Sequence, residues 1–244
     1  MNSQNAKDVK KLIFTSGASF TGTTMLGLIL ANQPKGFAAG EVYSIFKRSK
    51  YPTLPSHLSN NKLWQQLHAN EPKDLYPTLF KHYNVVTDSS KYIRWITKIS
   101  KYLKDDYQIY HILTYKDPLN AYHSFFNRRH KDFKRFYRMY STYYKTYKQR
   151  FNIKAWLKWE DFLLKPSAEI KFLCDLLNIK YKKRKEHYWL NKDLCHVRGA
   201  SKVSKVIDGR LKPKVYKQIN WNPKFNISEA EKMIADHDWS FLGE

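Results

Sequence analysis

A glycine-rich loop between a predicted strand and a predicted helix most restricts how this 244-residue chain can fold. Residues 10–16 (K-K-L-I-F-T-S) have the composition of a short β-strand, and residues 23–32 (T-T-M-L-G-L-I-L-A-N) that of a helix ending near Pro34. Between them, Gly17 and Gly22 have the spacing of the phosphate-binding signature G-x-x-x-x-G-K-[ST], but Thr23 occupies the position of the lysine. The strand, loop and helix together predict an anion-binding loop in an α/β sheet.

Strands and helices are predicted to alternate through the first 178 residues, which is typical of a parallel sheet with right-handed crossovers. The sequence therefore predicts an α/β fold of the P-loop NTPase type, with a central, mainly parallel sheet in a three-layer α/β/α arrangement. We expect a single domain over residues 1–244, in which about 180–244 form an irregular basic C-terminal section. The further predicted strands are 84–90, 108–115 and 152–159, and the further helices are 61–70, 92–104, 119–131, 133–149 and 166–178.

Polar residues follow three of the predicted strands, at 16–24, 88–91 and 116–117. Because ligands of such sheets bind beyond the carboxyl ends of the strands, we expect these residues to converge on one site. The loop lacks the lysine that reaches the β- and γ-phosphates of a nucleoside triphosphate, so it suits a shorter anion such as a 5′-phosphosulfate. Asp88 is a candidate magnesium ligand. The loop residues expected to contact the anion are Ser19, Phe20, Thr21, Gly22, Thr23 and Thr24.

Four motifs, taken in order, resemble those of the PAPS-dependent sulfotransferases, especially the bacterial, carbohydrate and protein-tyrosine enzymes (PAPS is 3′-phosphoadenosine-5′-phosphosulfate). F-T-G-T-T at 20–24 is similar to the family's [RK]-S-G-T-T, and D-S-S-K at 88–91 to its D-x-S-K. K-D-P at 116–118, followed by a helix, is similar to the family's R-D-P. W-E-D-F-L-L-K-P at 159–166 is similar to Y-E-D-L-x-x-x-P. The resemblance extends over about residues 10–178.

The resemblance implies transfer of a sulfuryl group from PAPS to a hydroxyl or amine, with 3′,5′-adenosine bisphosphate as the spent cofactor and no metal. It assigns the 5′-phosphosulfate to the loop at 19–24 and the 3′-phosphate to Lys116 and Ser124. Arg198, in H-V-R-G-A-S-K at 196–202, corresponds to a further 3′-phosphate segment of the family.

The same resemblance implies that Glu41, in the G-E pair at 40–41, is the base that accepts the proton of the acceptor hydroxyl. Lys91 would assist the leaving group. An alternative interpretation is that Glu41 stabilises a helix start through the macrodipole. His123 and His196 are further candidates for the base.

Two positions depart from the family pattern. The loop Arg or Lys is Phe20 here, so a charge that would stabilise the leaving oxygen is missing, an effect worth roughly 3 kcal/mol by analogy with an oxyanion donor. The arginine of R-D-P is Lys116, which is a point charge without bidentate geometry. We expect weaker phosphate binding at this position, and we expect Lys91 to supply the missing charge if the chain is catalytic.

The net charge of +23 implies an anionic partner and leaves other functions open. A P-loop nucleotide kinase would need a lysine beside Thr23. A nucleic-acid-binding protein would use the basic charge and the aromatic helical face within 133–147, although an apolar stripe at helical spacing usually indicates burial. A non-catalytic protein of the same fold that binds an anionic ligand also fits. For the enzyme we expect no nucleic-acid partner.

The acceptor is expected to be a carbohydrate, a lipid or a small molecule. The basic stretches could favour an anionic glycan or a lipid headgroup, or could equally form a solvated face. Aromatic residues in the region 43–83 could stack on a sugar or belong to the core. The chain has no apolar run of eighteen residues, and its polar first residues lack a signal-peptide core, which favours a cytoplasmic protein. Cys174 and Cys195 are expected to be reduced thiols. The aromatic candidates are Tyr43, Phe46, Trp64 and Tyr76.

Overall fold

Five parallel strands form the central sheet of the computed structural model, which describes residues 9–46, 54, 56–69, 71–129, 132–191 and 226–243. Their spatial order is β2-β3-β1-β4-β5, so the first strand lies in the middle. Four of the five strands lie where the sequence predicted them, and all neighbouring pairs are parallel, as expected. The strands are β1 (Lys11–Ser16), β2 (Gly36–Gly40), β3 (Val85–Asp88), β4 (Gln108–Tyr115) and β5 (Ile153–Lys158).

The register of the sheet brings several strand ends together. Phe14 of β1 is opposite Asp88, the last residue of β3, and Ser16 is opposite Leu113 near the end of β4. Gly40, the last residue of β2, is also opposite Asp88. The segments that follow β2, β3, β1 and β4 therefore leave the sheet side by side at one edge.

Helices cover both faces of this sheet, which confirms the expected three-layer α/β/α arrangement. Leu12 and Phe14 of β1 pack with α4, α5, α6, α7, α8 and α11 on one face, and Ile13 packs with α1, α9 and α10 on the other. All six β1 residues are buried, as in a strand covered on both sides. The helices are α1 (Thr23–Ala31), α2 (Tyr43–Phe46), α3 (Ser56–Ser59), α4 (Lys62–Ala69), α5 (Leu75–Phe80), α6 (Ile93–Leu103), α7 (Pro118–Arg129), α8 (Phe133–Arg150), α9 (Trp159–Leu164), α10 (Pro166–Leu176) and α11 (Ile227–Ala235), with 3₁₀ turns at Pro72–Asp74 and Tyr188–Leu190.

Strand β2 was not predicted from the sequence. Its residues, G-F-A-A-G, are mostly glycine and alanine, which have low β-propensity. Pairing with β3 nevertheless makes it an edge strand of the sheet. The consequence for the site is direct, because Glu41 follows the last residue of this strand.

The aromatic stripe of α8 is buried, as its helical spacing predicted. Phe133, Phe136, Tyr140, Tyr144 and Tyr147 all lie in the core on one face of the sheet. This burial removes the exposed aromatic surface on which the nucleic-acid alternative relied.

Other residues singled out in the sequence also lie in the interior. Trp64 and Tyr76 are fully buried in the core, and Tyr43 and Phe46 pack against it. Cys174 is a free thiol in the buried face of α10. Cys195 lies outside the described residues. In the part of the chain that the structure describes, no helix combines the length and the apolar character needed to cross a membrane.

Candidate active site

The glycine loop at 17–22 connects the end of β1 to the start of α1. Gly22 has a φ of 84° and packs so closely on the indole of Trp159 that a Cβ would overlap the ring. It is also the N-cap of α1, and its position carries no side-chain cap among the described residues. The first N–H groups of a helix need a partner, so the uncapped start of α1 is suited to an anion.

Tyrosines from α8 hold the first part of this loop. The Gly17 N–H donates to the Tyr143 hydroxyl over 3.2 Å, and the Ala18 N–H donates to the Tyr144 hydroxyl over 3.2 Å. Tyr144 in turn donates to the carbonyl of Thr114 in β4 at 2.7 Å. These hydroxyls therefore fix the loop against the sheet, and the two N–H groups are already used, which leaves anion binding to the later part of the loop.

The threonines of the loop are not equivalent. Thr21 is buried, and its hydroxyl donates to the Ala18 carbonyl over 2.8 Å and lies 3.0 Å from the hydroxyl of Thr114. Its side chain therefore stabilises the loop from within. Thr23 and Thr24 are also buried, but they form the first turn of α1, where no described side chain caps the N–H groups.

Phe20 has a φ of 74°, an unusual conformation for a residue with a side chain. The guanidinium of Arg128, from α7, lies 4.6 Å from the centre of its ring. This distance is within the range of a cation–π contact. The loop position that carries a cation in the family therefore has an aromatic ring with a cation from another helix beside it.

Glu41 and Lys91 form an ion pair at the ends of β2 and β3. The Lys91 Nζ donates to Glu41 Oε1 at 2.6 Å, and about a third of each side chain is exposed. Glu41 also lies close enough to Tyr143 to contribute, after burial and Tyr144, to the raised pKa of that phenol. The pair therefore lies next to the start of the glycine loop, and it is partly exposed to solvent.

Lys116 and Ser124 are also brought together. Lys116 follows β4, its side chain is buried, and its Nζ donates to Ser124 Oγ over 3.2 Å. Burial lowers the pKa of Lys116 to about 8, an effect that nearby Glu160 opposes and nearby Arg128 reinforces. A buried ammonium that has a hydroxyl beside it, and no carboxylate within ion-pair distance among the described residues, is suited to an anionic group.

Glu160 gives the motif at 159–166 a structural role that the sequence did not reveal. Its carboxylate accepts from the Asp117 N–H at 3.2 Å and from the side-chain amide of Asn120 at 2.8 Å. These bonds tie the start of α9 to the start of α7. Glu160 therefore fixes the K-D-P turn that positions Lys116 and Ser124.

Asp88 does not have the environment of a magnesium ligand. Its carboxylate is fully buried and accepts hydrogen bonds from the Tyr76 hydroxyl at 2.6 Å, the Trp95 indole at 3.1 Å and the Ser90 N–H at 2.6 Å. Burial raises its pKa, and these donors oppose the rise. The acid thus orders the turn that leads to Lys91, which corrects its interpretation as a metal candidate.

Of the two other candidates for the base, one lies within the described residues. His123 is buried, and its Nε2 lies 3.0 Å from the amide nitrogen of Asn127 on the same helix. His196 and Arg198 lie outside the described residues, so their assignments stay predictions.

Comparison with known proteins finds similar structures but no protein of similar sequence. No family model matches the chain, and no curated protein matches it. The sulfotransferase domain of the Synechococcus PCC 7002 olefin synthase superposes with a TM-score of 0.57 at 14% identity, over 97% of this chain and 98% of that one. The sulfotransferase domain of the curacin biosynthetic pathway has a TM-score of 0.61 at 12% identity, over 93% of this chain and 98% of its own.

These two similarities extend over nearly the whole length of both partners. At these identities they establish the overall fold and no more. The chain therefore has the sulfotransferase fold.

Proposed function

We propose that this protein is a sulfotransferase that moves a sulfuryl group from PAPS to a hydroxyl or amine of an acceptor. The observation that carries the proposal is the arrangement of polar groups at one sheet edge. The uncapped start of α1, the Glu41–Lys91 pair and the Lys116–Ser124 pair follow four neighbouring strands. The fold agrees with this chemistry but does not by itself imply it.

The residues present fit a nucleotide with two separate anionic groups. The start of α1 offers unpaired N–H groups and the hydroxyls of Thr23 and Thr24 to a 5′-phosphosulfate. Lys116 and Ser124 offer a cation and a hydroxyl to a 3′-phosphate. Beside them in the loop, Ser19 is exposed and Phe20 is half-buried. When bound, PAPS supplies the sulfuryl group.

The roles of Glu41 and Lys91 follow from their chemistry. In the transfer, a bond forms between the acceptor oxygen and sulfur, and the bond between sulfur and the bridging oxygen of the phosphosulfate breaks. The proton of the acceptor hydroxyl passes to Glu41, and the electron pair stays on the bridging oxygen. Lys91, a flexible point charge, moves from Glu41 towards that oxygen. The resting ion pair thus holds both groups until the nucleotide binds.

The first test is thermal stabilisation by 3′,5′-adenosine bisphosphate, the spent cofactor. A ligand that binds only the folded state stabilises it by about 2.7 kcal/mol at a hundredfold excess over Kd. We expect a clear rise in Tm with the bisphosphate, and a much smaller rise with Lys116→Ala. ATP with magnesium is the matched comparison, and we expect it to stabilise the protein less because no lysine occupies position 23. A rise in Tm with ATP and magnesium alone would contradict the proposal.

Bisphosphate binding is expected to weaken as the pH rises above about 8. The pKa of Lys116 is lowered to about 8, so its positive charge is present below that pH and is lost above it. The Kd should then increase by up to about tenfold per unit of pH, because binding must restore the proton. Titration calorimetry at pH 7, 8 and 9 measures this change. Lys116→Arg keeps its charge and should show a flat profile, whereas a wild-type profile that is equally flat would exclude Lys116 from the 3′-phosphate site.

Lys91 is expected to affect turnover more than binding. Lys91→Met should lower kcat by about 10²- to 10³-fold, the effect of removing one stabilising group from a transition state, and should leave the Kd of the bisphosphate nearly unchanged. Arg128→Met should have a smaller effect, since Arg128 is exposed to solvent. Lys98→Met, which removes an exposed lysine of α6, is the control. If Lys91→Met weakened bisphosphate binding and left kcat unchanged, Lys91 would be a binding residue only.

A non-catalytic protein that binds an anionic ligand remains the second candidate. The observation that favours it is Phe20, which leaves the loop itself without a cation. Arg128 of α7 lies beside this ring, so a positive charge is present next to the loop although the loop itself has none. Bisphosphate binding without any release of bisphosphate from PAPS, over a panel of alcohols and amines, would identify this second candidate as correct.

A further inference from the structure

A small cavity opens between the glycine loop and the helices α7 and α8. Gly17, Ala18, Ser19 and Lys91 form its polar side. Its volume is about 120 Å³. The opposite walls are the side chains of Ala121, Phe125, Phe136, Met139, Tyr140 and Tyr143. The cavity thus has the first part of the glycine loop and Lys91 on one side, and mainly apolar and aromatic side chains of α7 and α8 on the other.

The tyrosine hydroxyls in these walls bind the protein backbone. The Tyr140 hydroxyl accepts from the Lys116 N–H at 3.1 Å and donates to the Lys116 carbonyl at 2.9 Å. The Tyr143 hydroxyl accepts from the Gly17 N–H at 3.2 Å. The polar groups left to a ligand are at the mouth, where Lys91, its partner Glu41 and Ser19 lie. A ligand that enters deeply therefore finds few polar partners in the walls, chiefly the hydroxyl proton of Tyr143.

The size of the cavity also restricts its occupant. A cavity of about 150 Å³ lined by aliphatic and aromatic side chains stays dry and binds benzene. The cavity beside the loop is slightly smaller and opens to solvent, and its walls are mostly apolar or aromatic apart from Lys91, Ser19 and the loop backbone. Met139 is a large apolar residue that is 47% exposed at its rim, so the apolar surface continues to the solvent. One six-membered ring or a short alkyl chain fits this space.

We propose that the acceptor is a neutral alcohol whose single hydroxyl is attached to an apolar body about one ring in size. The hydroxyl lies at the mouth between Glu41 and the loop, and the apolar body enters the cavity. A sugar ring would lose the hydration of several hydroxyls at once, and the described walls offer too few polar groups to replace it. An acidic acceptor would face the carboxylate of Glu41. This inference rests on the proposed sulfuryl transfer and names the class of its acceptor, in place of the glycan or lipid headgroup that the basic stretches could favour.

Cyclohexanol and myo-inositol are the matched probes, since they share a six-membered ring and differ in the number of hydroxyls. Binding is measured by ligand-detected NMR, with and without 3′,5′-adenosine bisphosphate, and turnover by release of bisphosphate from PAPS. We expect cyclohexanol to bind and to be turned over with a kcat/KM at least about a hundredfold above that of myo-inositol, because one misplaced hydroxyl in an apolar pocket already costs about that factor. Met139→Gln should weaken cyclohexanol binding by about tenfold.

Phe172→Gln is the control for this variant, because Phe172 is an equally exposed apolar residue on α10, away from the cavity. It should change neither probe's affinity. If myo-inositol binds or reacts as well as cyclohexanol, or if neither alcohol binds while the bisphosphate raises Tm, the inference is overturned and the proposed function stands. If cyclohexanol binds but the bisphosphate does not, the proposed function fails and the acceptor role fails with it.

Discussion

Glu41→Gln is expected to lower kcat by about 10²- to 10⁴-fold, the range typical of removing a general base. Glutamine has nearly the same shape and can still accept a hydrogen bond from Lys91, so the contact at the ends of β2 and β3 survives. It cannot take a proton from the acceptor hydroxyl. The Kd of 3′,5′-adenosine bisphosphate should therefore remain within about twofold of the wild-type value, since the effect is confined to the transition state. Steady-state release of bisphosphate from PAPS, beside calorimetric binding, separates the two quantities.

Glu71→Gln is the matched control for this loss, because Glu71 is an exposed carboxylate away from the strand ends. It should leave kcat unchanged. If Glu41→Gln kept full turnover, Glu41 would not be the base. A large increase in the bisphosphate Kd with an unchanged kcat would instead assign Glu41 a structural role through Lys91.

Gly22→Ala is expected to abolish nucleotide binding and to destabilise the fold. The φ of 84° is a left-handed conformation, which costs about 1–2 kcal/mol for a residue with a Cβ. The new methyl group would also overlap the Trp159 ring, and overpacking of this kind typically costs 1–3 kcal/mol, so we expect a loss of roughly 2–5 kcal/mol in the free energy of unfolding. The start of α1 must move to relieve the overlap. Chemical denaturation and the bisphosphate Tm shift measure the two effects.

Gly243→Ala separates backbone strain from steric overlap. Gly243 has a similar φ of 78°, but a Cβ there would meet only the Tyr115 hydroxyl at 3.5 Å, an ordinary contact. It should cost about 1–2 kcal/mol at most and leave bisphosphate binding intact. If both variants lost the same free energy of unfolding, the overlap with Trp159 would not contribute to the loss at Gly22.

Most of the sheet could be predicted because its strands are short apolar or β-branched runs that end in polar clusters. Residues 10–16, 108–115 and 152–159 have this pattern, and each contains a strand. Strand β2 could not be predicted in this way, since G-F-A-A-G has neither alternation nor β-branched residues. Its strand conformation depends on pairing with β3, an interaction that no local pattern encodes.

The residues of the candidate site were likewise only partly predictable from the sequence. Lys91, Lys116 and Ser124 stand in short motifs, so sequence alone indicated them. Arg128 and the α8 tyrosines reach the loop across more than a hundred residues of sequence, and only the packing of α7 and α8 against the sheet brings them there. The periodicity of α8 predicted that its aromatic face is buried but not that its hydroxyls hold the loop backbone.

The central position of β1 has a consequence for how the chain is made. This strand leaves the ribosome first among the five, yet both of its neighbours, β3 and β4, come much later in the sequence. Parallel pairings between distant segments form slowly, because the intervening chain must first be ordered. Until β3 has been synthesised β1 has two open edges, and one of them stays open until β4 follows; open edges and an apolar surface favour association with other chains. The early part of the nascent chain is therefore where we expect misassembly to begin.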